Sequence, residues 1–170
     1  MEIKKTLIYL NIAIVLFTWA IAINVYDELP DRIPTHFGFD GKPDRWSDKT
    51  PFRFYMIPVI QSVIVAVFIW IIRYPKLFNF PQKDDVKKWP EEKRKPVYEY
   101  LSKMVLVFGL ITNLLFLSVL YSIIYAAKTK TTNKGFLILI IIIGFSFLPL
   151  TAYALAKTDK IVEEIKKTLS

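Results

Sequence analysis

His36, Asp40 and Asp44 stand four residues apart in the stretch LPDRIPTHFGFDGKPDRWSDK, which runs from Leu29 to Lys49. A histidine and two carboxylates on one helix face could hold Zn2+, and neighbouring carboxylates can trade protons as acid and base. Gly38, Gly41 and Pro43 break any continuous helix here, so the spacing alone does not bring the three together. His36 is the only histidine, and the chain has no cysteine. That removes thiol catalysis, disulfides and thiolate metal sites. No H-E-x-x-H, G-x-S-x-G or glycine-rich phosphate cradle occurs. Asp27, Glu28, Asp31, Asp40, Asp44 and Asp48 could together meet Ca2+, but without the spacing of an EF-hand. The simplest role for these acids is to be solvated or paired with Arg32, Arg45 and Lys49. The simplest role for His36 is a hydrogen bond that pins a turn. Metal ligation stays open; no catalytic residue and no cofactor are assigned.

The elements around this stretch are apolar. No Asp, Glu, Lys, Arg or His occurs in Thr6–Tyr26, Phe54–Ile72, Met104–Ala127 or Gly135–Ala156. At 1.5 Å per helical residue these windows span about 28–36 Å, which matches a hydrocarbon core of about 30 Å. Of the 170 residues 54% are hydrophobic and yet 22% are charged, so the charges are confined to the connections. The expected fold is an all-α membrane protein. It is a four-transmembrane-helix bundle with helices over about 6–26, 54–72, 101–127 and 135–156, read as one membrane domain over 1–170. Ala20-Ile21-Ala22 resembles a signal-peptide cleavage site, but the apolar run continues to Tyr26, which favours a span.

The net charge of +8 would suit nucleic acid, but in a four-span chain it more simply marks the cytoplasmic face. Lys and Arg number fourteen in the N-terminal end, the connection 73–100 and the C-terminal tail, against eight in the two other connections. By the positive-inside rule both termini and the 73–100 loop are cytoplasmic, in the cell membrane, and the 27–53 loop faces outward. Trp89 among lysines suits a segment at the membrane surface. The tail from Asp159 to Leu169, with Ile161, Val162 and Ile165, reads as an amphipathic extension of the fourth span. Asn11, Asn24, Gln61 and Asn113 are amides within the spans. They read as interhelical glue, since no ionisable group accompanies them as a proton relay requires.

The outer loop is built for shape. Four prolines fix φ, Asp40-Gly41 favours a tight turn, and Ile33–Phe37 reads as an extended piece entering it. Phe37, Phe39, Trp46 and Phe52 are unlike a flexible linker. An ordered cap on the helix ends is expected.

Leu29, Pro30, Ile33, Pro34, His36, Phe37, Gly41, Pro43, Asp44 and Trp46 follow the pattern L-P-x-x-I-P-x-H-[FW]-x-x-x-G-x-P-D-x-W. This resembles the signature of a membrane domain of unknown function, number sixteen-forty-eight, the N-terminal module of SdpI-type immunity proteins. The resemblance covers about the first 75 residues. The family commonly places Ser directly before Lys, whereas here Asp48 separates Ser47 from Lys49, where it could neutralise the lysine. The resemblance implies a multi-pass protein of the cytoplasmic membrane. In its best-known members it implies protection against a secreted peptide toxin and capture of a transcriptional repressor at the membrane. The expected activity is thus non-enzymatic and immunity-like, with ligand contacts from His36, Phe37, Gly41, Asp44, Trp46 and Lys49. Expected partners are the lipid bilayer, a peptide outside and a cytoplasmic protein, without nucleic acid. A small transporter or accessory subunit, and a metal-dependent membrane enzyme, are the alternatives.

Overall fold

A computed structural model describes residues 2–169. Four long helices dominate: α1 (Glu2–Tyr26), α2 (Pro51–Ile71), α4 (Glu91–Thr129) and α5 (Lys134–Lys166), with a short α3 (Lys83–Lys88) between α2 and α4. Each of the four is long and apolar enough to cross a membrane. The chain is not all-α. Residues 32–48 form an antiparallel hairpin of β1 (Arg32–Phe37) and β2 (Pro43–Asp48). Pro34 and Pro43 suit extended backbone, and a two-stranded ribbon leaves outward N–H positions unneeded, so proline costs little there.

The helices outrun the apolar windows. The third begins at Glu91 rather than near 101, and the fourth ends at Lys166 rather than near 156. At 39 residues α4 is about 58 Å long, well beyond a 30 Å hydrocarbon layer. Its charged first turns stay helical because Glu91 and Glu92 suit a helix N-terminus and because one face is buried. Val97 and Leu106 pack there with Phe78, Phe80 and Val86 of the α2–α4 connection and with Val162 of α5. The amphipathic tail therefore has a partner: Ile161 and Ile165 lie against the same cluster. At the α4 C-terminus Lys130 takes φ 58 and returns its N–H to the Ala126 carbonyl, a left-handed cap that turns the chain into α5.

Helix α4 is the common wall, packing on α1, α2, α5 and β1. Three of the four amides in the spans meet there. Asn113 Nδ2 donates to Asn11 Oδ1 at 2.9 Å, and Gln61 Nε2 donates to Asn113 Oδ1 at 2.8 Å. Asn11 Nδ2 donates in turn to the carbonyls of Leu7 and Leu106. All three are buried, so the chain of bonds ties α1, α2 and α4 in a dry interior. Within these three amides, Gln61 Oε1 is left without a partner. Gly109 lies directly against Asn11 Oδ1, where a Cβ would collide. Asn24 stands apart, donating only to Ala20 of its own helix.

Candidate functional site

The hairpin crosses the end of the bundle where α1 stops, α2 starts and α4 turns into α5. Its turn is closed by Gly38 N–H to the Lys42 carbonyl (2.8 Å) and Gly41 N–H to the Gly38 carbonyl (2.9 Å), with Gly41 at φ +73. Asp40 accepts the Lys42 N–H at 3.0 Å. That bond from the Lys42 backbone is the main reason the Asp40 carboxyl lies below its ordinary range. Only glycine adopts the Gly41 conformation at low cost, and the Leu137 side chain already fills the space a Cβ would take. The Gly41 carbonyl accepts the Thr132 hydroxyl at 2.6 Å. The turn is thus fastened to the α4–α5 connection.

His36 and Asp44 face each other across the strands at 2.6 Å, Nδ1 to Oδ1, both about half exposed. An ionised carboxylate can only accept, so Nδ1 is the donor in this contact. Among the described residues no group of three or more His, Asp and Glu is placed to hold a metal ion. Thr35 and Ser47 bridge the strands beside this pair, hydroxyl to hydroxyl at 3.3 Å.

Trp46 lies under the Lys130 ammonium, 4.5 Å from ring centroid to Nζ. The two border an open cavity of about 560 Å3 that Asp40, Lys42, Thr132 and Lys134 also line. Phe39, at the tip, is fully exposed. Phe37 is half-buried at the strand end. Gly41 borders the cavity through its neighbours, not through a side chain.

Lys49 is occupied elsewhere. Its ammonium donates to the carbonyls of Tyr26 (3.1 Å) and Leu29 (2.7 Å) and sits 5.0 Å from the Tyr26 ring centroid. It therefore closes the C-terminal end of α1, where orphan carbonyls and the helix dipole favour a cation. Asp48 does not neutralise it: the Asp48 carbonyl, not its carboxylate, is engaged, by Arg53. Beneath Lys49, Tyr26 stacks on Tyr55 and tilts on Phe54, an aromatic layer under the hairpin. A second strap is Glu28 with Lys128 at 2.5 Å. The hydrogen bond from Lys128, then its charge, lowers the Glu28 carboxyl below its ordinary range.

Of the six residues expected to meet a ligand, the structure brings His36 and Asp44 together and sets Trp46 on the cavity. Gly41 and Lys49 hold backbone. Leu137 comes to the same place from the first turn of α5, and Lys130 and Thr132 from the α4–α5 connection, which reads in sequence as a plain loop. The only hint is its hydroxyl-rich composition, T-K-T-T-N-K.

Four apolar helices and one hairpin define a mostly helical, multi-pass membrane protein. The chain carries the domain of unknown function DUF1648, whose family model matches residues 13–61, from mid-α1 through the hairpin to mid-α2. It belongs to one family with an uncharacterized protein of Archaeoglobus fulgidus, 31% identical over 146 residues that cover 82% of this chain and 80% of the relative. No solved structure matches.

Proposed function

We propose that the chain is a non-enzymatic, immunity-like or ligand-binding protein of the SdpI type. It lies in the cell membrane with the hairpin outside and both termini in the cytoplasm. The charge count over the connections supports that orientation. The hairpin offers the ligand surface: the His36–Asp44 pair, Phe37 and the exposed Phe39, and Trp46 beside the lysine-lined cavity. Gly41 and Lys49 serve this surface by fixing its frame. The ligand is an amphipathic peptide, with apolar side chains on the aromatics and its polar groups on the pair and the lysines. The basic connection 73–100 faces a cytoplasmic partner.

The observation that carries this reading is the fastening of a polar, aromatic hairpin to three helix ends. A mere connector between spans needs no such anchorage. The buried amide chain gives no support to a transport path, because its members bond to each other and to backbone rather than line a channel.

The test is a challenge of cells with a secreted amphipathic peptide toxin, with wild type, His36→Ala, Asp44→Ala and Trp46→Ala at equal membrane levels. Wild type should raise survival and the three substitutions should reduce it. Equal survival with and without the protein removes the immunity reading.

A further inference from the structure

The two faces of the hairpin differ. Trp46 looks toward the lysine-lined cavity, while Arg45 and Ser47, its neighbours in β2, line a separate groove on the α2 side with Thr35 and Arg53. This groove has a volume of about 360 Å3. Among the described residues no carboxylate lines it, and Arg45 makes no ion pair. Of the hairpin acids, Asp44 pairs with His36 and Asp40 with Lys42, and Asp48 makes no ion pair among the described residues. Arg53 gives one N–H to the Asp48 carbonyl and keeps the rest of its fork free of any carboxylate. Two arginines line one open groove with Thr35 and Ser47 beside them and no acid among the lining residues. That arrangement is complementary to a phosphate, which arginine meets with paired N–H donors.

The other half of the groove is apolar. Met56, Ile57 and Ile123 line it, and Met56 is exposed. Arg53 is the last charge before the second apolar window. In a chain that spans a membrane, the two arginines therefore sit at headgroup depth and the apolar wall begins where the acyl chains begin. A free anion would use only the first half of such a groove.

We propose that the Arg45–Arg53 groove holds one anionic phospholipid, its phosphate between the guanidinium groups and the start of an acyl chain along Met56 and Ile57. The proposal rests on the membrane-spanning reading alone and is independent of any peptide ligand on the opposite face.

The experiment uses the full chain, purified in detergent and given equal amounts of phosphatidylglycerol and phosphatidylcholine, with retained lipid counted by native mass spectrometry. Wild type should keep one phosphatidylglycerol over phosphatidylcholine by about tenfold, the ratio that one charge-assisted contact supplies. Arg45→Gln/Arg53→Gln should bring that ratio to about one, while Lys42→Gln, on the same hairpin but outside the groove, should leave it unchanged. Arg45→Gln alone breaks no bond within the protein and should reduce the ratio in a chain that folds as wild type does. Millimolar inorganic phosphate should not displace the lipid. A wild-type ratio near one, a ratio unmoved by either arginine variant, or displacement by phosphate overturns the proposal. A wild-type ratio near one for protein recovered from the membrane fraction does so without touching the four-span reading.

Discussion

The Thr132 hydroxyl donates to the Gly41 carbonyl at 2.6 Å, joining residues 91 positions apart in the chain. This bond, with the Leu137 side chain against Gly41, decides where the hairpin lies. Without it the hairpin would keep the Lys130–Trp46 contact, the packing of β1 on α4 and the strand roots at Asp31 and Lys49, whose carbonyl and N–H meet at 2.6 Å.

Gly41→Ala should loosen the cap. Alanine must take a positive φ and displace Leu137, which together cost about 2 kcal/mol. Thr132→Ala, which loses one hydrogen bond, should cost about 1 kcal/mol. Thermal unfolding in detergent checks the order, and a Gly41→Ala protein as stable as wild type would show that the tip is not seated on α5.

The amide chain gives a second prediction. Asn113→Leu leaves Gln61 Nε2 and Asn11 Oδ1 without partners in a dry interior, at a cost of about 1–3 kcal/mol. Replacing Asn11, Gln61 and Asn113 together by leucine should cost less than the three single changes added, since no orphan remains. Equilibrium unfolding in mixed micelles measures both, and strict additivity would mean that the three do not act as one unit.

Lys49→Met keeps the aliphatic stem but removes the cation from the α1 terminus. The Leu29 carbonyl loses its donor and the Tyr26 carbonyl keeps only the Leu29 N–H, so a loss of about 1–2 kcal/mol is expected. Hydrogen exchange should rise first at the end of α1 and at Lys49–Thr50. Lys49→Arg should restore part of the loss, because the charge is kept while the geometry changes.

The pH response follows from the Glu28 strap. Its carboxyl lies below the ordinary value of 4.5 because Lys128 donates to it and carries opposite charge. A lowered folded-state pKa contributes stability that is fully present above the ordinary value and is lost as pH falls through the folded one. Asp40, lowered chiefly by the Lys42 N–H, has the same sign. Hairpin amides should therefore exchange at an unchanged intrinsic-corrected rate from about pH 7 to 5 and faster below about pH 4. Glu28→Gln should flatten part of that step.

The four spans are legible in sequence because charge exclusion over about 20 residues has few other causes. The turn at Gly38–Lys42 is legible for a similar reason, since Asp-Gly and flanking prolines restrict the backbone locally. The helix ends are not legible. Glu91–Tyr100 looks like a charged loop, and it is helical because Val97 meets Phe78, Phe80 and Val162 from distant parts of the chain. Lys49 shows the same limit at the site. Its type suits a ligand anion, yet the carbonyls of Tyr26 and Leu29 claim it. The role of T-K-T-T-N-K is likewise set by contact across 91 positions, which no local pattern encodes.

The amide chain also orders biosynthesis. Asn113 follows Gln61 by 52 positions and Asn11 by 102, so the first two spans are synthesised well before the side chain that satisfies them. During that interval their amides have only their own helices or the insertion machinery to bond with. The third span is then not an addition to a finished pair but the piece that completes it, and a nascent chain halted short of residue 113 carries an open polar seam.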